Sequence, residues 1–256
     1  MSAALVDRRV HMATDYNGGC NGAWIRHAPQ KDWPVNRGLD KVLEVLQPIK
    51  EKHGAGLSHA DLIILAGTAA LEAASGADPG SFGFCPARVD APEADPSLDV
   101  LAPRTYVNAS VAVRDGFAVA GFTPAEGVAL AGRPRSAAYI KGQGYSGTWG
   151  GAPGAFDNGY FKTLLGETWV ESKSASGKAE FKAEGKGDII MTPEDLAIRD
   201  DPELVKIAKG YAEDGAAFLK AFSAAWTKLV NADRFDGPAG NVCDDKPAPS
   251  LAVAAS

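Results

Sequence analysis

The stretch Thr123-Pro-Ala-Glu-Gly-Val-Ala-Leu-Ala-Gly-Arg-Pro-Arg135 opens with a hydroxyl residue and a carboxylate three positions on, and closes its apolar run on Gly132 and a second proline. The hydroxyl can accept from the backbone N–H three residues ahead while the carboxylate answers the N-cap N–H. Proline at the first helical position gives up an N–H that has no partner inside a helix anyway. A helix therefore begins at Thr123. Ser58-His-Ala-Asp61 and Thr192-Pro-Glu-Asp195 carry the same hydroxyl-to-carboxylate spacing, so two more helices begin there.

Outward from these points the pattern stays helical. Leu39, Val42, Leu43, Leu46 and Ile49 recur at helical spacing, with Pro48 placed to bend or tighten the last turn. Residues 57–74 are nearly all apolar, which predicts a helix buried on all sides. Further helices are expected over 106–119 and over 202–230, the latter broken near Asp214-Gly215. Only 168–191 departs from this: Trp169-Val-Glu-Ser-Lys and Lys178-Ala-Glu-Phe-Lys alternate around a Ser/Gly turn, as a small hairpin does. The fold class is thus all-α with one small hairpin. Long Gly/Pro/Asp-rich loops are expected at 76–104 and 141–154, and loops of that length inside a domain are usually functional or face a partner. An extended tail is expected over 237–256, and no internal repeat is visible.

The 256 residues carry 26 Lys+Arg against 32 Asp+Glu, a net charge of -6 that offers no electrostatic footprint for a phosphate backbone. Nucleic acid is excluded as a partner. No uninterrupted apolar run approaches the roughly 18–20 residues a bilayer span needs. Cys20, Cys85 and Cys243 are odd in number, far apart and in no metal spacing, so free thiols are expected, with neither a disulfide framework nor a zinc site.

Several segments, taken in order, go beyond generic helix signals. Gly144-Tyr-Ser-Gly-Thr-Trp149, Phe156-Asp-Asn-Gly-Tyr-Phe161, Met191-Thr-Pro-Glu-Asp195 and Asp201-Pro202 resemble the proximal half of the class I haem peroxidases, the group of cytochrome c peroxidase, ascorbate peroxidase and catalase-peroxidase. Gly18-Gly-Cys-Asn-Gly-Ala-Trp-Ile-Arg26 with Ala28-Pro-Gln-Lys-Asp-Trp33 is similar to the catalase-peroxidase loop after the distal helix. Asn36-Arg-Gly-Leu39, Leu57-Ser-His-Ala-Asp-Leu62, Ala87-Arg-Val-Asp90 and Val128-Ala-Leu-Ala-Gly132 follow in family order, and the resemblance covers about 14–235. It implies a two-lobed body of about ten helices with a haem crevice between lobes. We expect one peroxidase-like domain over 1–236, its lobes at about 1–120 and 121–236.

The resemblance also says what is missing. In the family a His shortly after the Val-Ala-Leu-x-Gly motif binds the iron, hydrogen-bonded to an Asp and backed by a Trp. Asp195 matches the Asp and Trp149 the Trp, but the His position falls on Arg133 or Pro134. A guanidinium stays protonated and proline has no side-chain donor, so neither binds iron. On the distal side the His position counts back to Val6 and the Arg position to Ser2, which places the start of the chain partway along the distal helix. His11 is five residues out of register, Arg8 and Arg9 lie beside it, and Asn36, the match to the residue that orients the distal His, has nothing to orient. His27, His53 and His59 read as surface or structurally satisfied histidines.

An empty haem-sized crevice would cost on the order of 10 kcal/mol at about 24 cal/mol per Å³, so it must be collapsed, flooded or occupied. Asp195, having lost an imidazole, needs another partner, and we expect a structural ion pair with Arg133 and Arg135. The expected function is a haem-free, inactive peroxidase-like subunit or assembly factor of a larger protein complex, without cofactor or metal. By resemblance to haem-less relatives of ascorbate peroxidase its expected home is a plastid, with the thylakoid lumen near the photosystems a specific case, ahead of the mitochondrion. Two other readings stand beside it: a peroxidase that binds haem through an unusual ligand and reduces hydrogen peroxide, and a module holding a pigment or lipid in the vacated crevice.

Overall fold

The computed structural model describes residues 18–94, 106, 108–150, 155–234 and 243. Nine α-helices and one three-stranded sheet lie within them: α1 (Leu39–His53), α2 (His59–Ser75), α3 (Ala109–Val119), α4 (Pro124–Ala131), α5 (Ala137–Gly142), α6 (Gly159–Gly166), β1 (Trp169–Lys173), β2 (Ala179–Ala183), β3 (Lys186–Met191), α7 (Pro193–Asp200), α8 (Leu204–Glu213) and α9 (Gly215–Val230). The fold is mainly helical, as the capping signals imply. The distal-side positions Ser2, Val6, Arg8, Arg9 and His11 lie outside the described residues, as does the 237–256 tail apart from Cys243.

The three start signals act as read. Ser58 accepts from the Asp61 N–H, and Thr123 and Thr192 each form a reciprocal capping box with Glu126 and Asp195. Asp214 ends α8 and caps α9 by accepting from the Ala217 N–H, which is the expected break. Pro48 sits inside a helix that continues to His53. Over 106–119 the helix starts only at Ala109, because the Asn108 side chain caps it there.

Three expectations need correction. First, α2 is not buried all round: Leu65 is 42% exposed and Ala69, Ala70 and Ala73 are exposed, small side chains tolerating water on a face that carries no charge. Second, the hairpin has a third strand. Lys186–Met191 pairs antiparallel with β2 after a register irregularity between Lys182 and Ala183, giving the order β1-β2-β3. Third, Cys85 and Cys243 form a disulfide across 158 positions of sequence, while Cys20 is buried as a thiol. Spacing alone gave no sign of a tail returning to a loop. Part of the loop expected over 141–154 is also helical, since α5 runs to Gly142.

The core is aromatic. Phe156, Phe161, Phe218, Phe222 and Trp226 are buried, and Phe156 meets Phe222 edge-on at 4.5 Å and Phe218 at 5.6 Å. Edge-to-face pairs of this kind add about 0.5–1.5 kcal/mol each to their burial. Helix α9 packs on α4, and α8 touches α4, α6 and α7, so the ends of α4 and α7 are brought toward one interior. Gly132 at the end of α4 has no room for a side chain: a Cβ there would lie 2.7 Å from Phe161 and 2.9 Å from Phe218. The chain turns inward at that close approach and carries Arg133-Pro134-Arg135 with it.

Candidate functional site

Two local features bring Trp149 to Asp195. Thr148 bridges to β3, donating its N–H to the Asp188 carbonyl at 2.8 Å and accepting from the Ile190 N–H at 2.8 Å. Gly147 lets the strands close, since a Cβ there would sit 2.5 Å from the Asp188 carbonyl oxygen. Strand β3 then runs directly into Thr192, the N-cap of α7, and Asp195 follows in the first turn.

Asp195 is buried and surrounded by donors. Its Oδ2 accepts from Trp149 Nε1 at 2.7 Å and from the Thr192 N–H and hydroxyl at 2.9 Å each. Its Oδ1 accepts from the Tyr160 hydroxyl at 2.7 Å and from Arg135 Nη2 at 3.3 Å. The Arg135 guanidinium, with a side chain only 7% exposed, lies over the Trp149 ring at 4.6 Å and the Tyr160 ring at 5.2 Å. Burial works against the Asp195 charge, but Arg135 and the four shorter bonds outweigh it and hold the carboxyl below its usual range. Burial and the adjacent carboxylate push the Tyr160 phenol well above its ordinary value. A second carboxylate role, capping α7, is filled by the same side chain.

The pairing at Asp195 is narrower than the sequence suggests. Arg133 and Arg135 were both candidates, but among the described residues only Arg135 reaches Asp195. Arg133 keeps to the end of α4, where its Nη1 donates to the Leu130 carbonyl at 3.4 Å, a position where a helix favours a cation. Burial and the like charge of Arg135 lower the Arg133 guanidinium to about 10. Pro134 separates the two and offers no donor. Tyr160 was not singled out from the sequence; its one signal was its place within Phe156-Asp-Asn-Gly-Tyr-Phe161, beside a core aromatic.

Asn36 is elsewhere. It is buried, and its Nδ2 donates to the Gln30 carbonyl at 2.6 Å while its Oδ1 has no donor among the described residues. The described histidines are also away from Asp195. His27 Nε2 contacts the Ala91 carbonyl at 3.0 Å, His59 Nδ1 contacts Asp90 at 2.9 Å, and His53 ends α1 exposed.

The donor set at Asp195 does not fit a haem iron. Iron takes a neutral imidazole nitrogen, a thiolate, a thioether or a phenolate from its protein. Here the carboxylate meets a guanidinium, which has no lone pair to give, and Tyr160, whose phenol is held firmly protonated. Two cavities are described, of about 160 and 670 Å³, and neither is lined by Trp149, Arg135, Tyr160 or Asp195. Among the described residues no group of His, Cys, Asp and Glu is placed to hold a metal ion, and no helix is long and apolar enough to cross a membrane.

Comparison with known proteins agrees with the motif order. The family model described as "Peroxidase" matches residues 2–134. The catalase-peroxidase of Pseudomonas entomophila is 34% identical over 259 residues, covering 92% of this chain and 35% of that protein. Catalase-peroxidase 2 of Burkholderia ambifaria is 37% identical over 255 residues, covering 88% of this chain and 34% of its own length. The Maricaulis maris catalase-peroxidase is 36% identical over 262 residues. The chain therefore spans about a third of the length of the curated relatives it matches. With the family motifs in order, the model match over more than half the chain and a mainly helical fold, this chain belongs to the class I haem peroxidase superfamily.

Proposed function

We propose that this chain is a haem-free, catalytically inactive peroxidase-like protein that serves as a structural or assembly subunit of a larger protein complex. The observation that carries the reading is the Arg135–Asp195 pair, which engages the aspartate that by resemblance would partner the family's iron-binding imidazole. Asp195, which in the family tunes that imidazole, is spent here on a guanidinium, an indole, a phenol and a helix cap. The retained aromatic core and capping boxes keep the scaffold; what is lost is the chemistry. A scaffold without chemistry is retained for what it touches.

The proposed setting is a plastid, the thylakoid lumen being one specific case, ahead of the mitochondrion. The Cys85–Cys243 disulfide supports an oxidising environment, because cytosolic thiols are kept reduced. The test is co-purification of the native protein under mild conditions, followed by size and spectrum. A haem-free species of much higher mass than the chain supports the proposal. A monomer that reduces hydrogen peroxide with a bound porphyrin refutes it.

A further inference from the structure

The smaller cavity lies between α1 and α2 and is chemically two-sided. Leu43, Leu46, Leu62 and Ile63 line it on one side, and Arg26, His59 and the exposed Gln47 complete it. Its volume of about 160 Å³ is close to that of an apolar cavity that holds one benzene ring, roughly 150 Å³.

The polar pair is held by Asp90. One carboxylate oxygen accepts from the His59 backbone N–H and contacts His59 Nδ1, both at 2.9 Å; the other accepts from the Ala60 N–H at 3.0 Å and lies 4.0 Å from Arg26 Nη2. Burial opposes the Asp90 charge, yet the His59 and Ala60 bonds and Arg26 hold its carboxyl below the usual range. A carboxylate only accepts, so His59 Nδ1 carries a hydrogen and donates it to Asp90. Arg26 is fixed in a similar way. Its Nε donates to the Ala23 carbonyl and its Nη2 to the Gly22 and Ala91 carbonyls, while Nη1 meets no acceptor among the described residues. One donor nitrogen on a permanent cation thus remains beside walls that water wets poorly, with the Arg26 side chain still partly open to solvent.

We propose that this cavity binds a small monocarboxylate bearing one aromatic ring or a branched aliphatic tail, the carboxylate accepting from Arg26 Nη1 and the tail seated among Leu43, Leu46, Leu62 and Ile63. An uncharged ligand would leave Arg26 Nη1 without an acceptor, and a charged one without a tail would leave the apolar walls wet. The site is independent of Asp195 and of the reading given above.

Titration calorimetry of the full chain with sodium benzoate tests it, using benzyl alcohol and acetate as matched probes that lack the charge or the ring. Benzoate is expected to saturate one site, with both controls weaker by at least about tenfold, the worth of one charge-assisted contact. Leu43→Trp, which fills the cavity from a half-buried position, is expected to abolish binding, and Arg26→Gln to weaken it by about tenfold. Methyl chemical shifts in the unsubstituted protein locate the ligand if either variant folds poorly: shifts confined to Leu43, Leu46, Leu62 and Ile63 support the site. No heat at millimolar benzoate, equal binding of benzyl alcohol, shifts elsewhere, or undiminished binding in folded Leu43→Trp would each overturn it.

Discussion

Asp195 collects five donors, from Trp149, Tyr160, Arg135 and both the N–H and hydroxyl of Thr192, and this single side chain ties α7 to three other segments. Removing Arg135 strands a buried carboxylate, so Arg135→Gln is expected to cost about 3–5 kcal/mol in urea unfolding. Arg133→Gln removes a cation that makes no ion pair among the described residues and is expected to stay within about 1 kcal/mol of the unsubstituted protein. Equal losses in the two variants would contradict the assignment of the pair. The sign of the acid effect follows from the depressed Asp195 carboxyl. Its contribution is complete above the ordinary carboxylate pKa of about 4 and is lost as pH falls toward its lower folded value. The unfolding midpoint of the unsubstituted protein should therefore fall more steeply than that of Asp195→Asn between neutral pH and the acid range. At this scale the sequence made readable that Arg133 and Pro134 cannot bind iron, because neither side chain has a lone pair to give. It did not show which arginine reaches Asp195, since that pairing joins segments 60 positions apart and no local pattern sets it.

Capping decides where the helices of this chain begin, and that information is local. Thr123→Ala is expected to cost about 1 kcal/mol by opening the α4 box, a loss read from the thermal midpoint. Thr192→Ala should cost more than Thr123→Ala, because its hydroxyl donates to the buried Asp195 whereas that of Thr123 donates to Glu126 in an exposed box. A smaller loss at Thr192 would mean that Asp195 is held without its cap. Such starts were legible because each needs only four consecutive residues. The third strand was less so: Lys186-Gly-Asp is polar, and its pairing follows a register irregularity whose position depends on the partner strand. Exposure of one α2 face also escaped the sequence, since an alanine-rich run reads as apolar whether or not anything covers it.

At the scale of the molecule, the aromatic core joins α4, α6 and α9, and the Cys85–Cys243 bond ties the tail to the loop that carries Arg88 and Asp90. That loop is itself anchored: the Arg88 side chain is fully buried, pairs with Asp61 at 3.0 Å and reaches the Val230 carbonyl at the end of α9. Closing a loop of 158 positions corresponds to at most about 5 kcal/mol of chain entropy, so Cys243→Ser should lower the denaturation midpoint strongly and make it insensitive to dithiothreitol. A midpoint that responds to dithiothreitol equally in both forms would contradict this. The bond was invisible in the sequence because three dispersed cysteines carry no pairing information, whereas the family motifs, being ordered along the chain, carried the fold.

The central proposal is that the Arg135–Asp195 pair takes over from the imidazole–aspartate pair with which the superfamily holds its iron. Titration of the purified full-length chain with haemin, followed by visible absorption, tests it most directly. The account predicts the spectrum of free or loosely adsorbed haemin at every ratio, without a stoichiometric break. A one-to-one complex with a sharpened Soret band and an axial-ligand signature would contradict it.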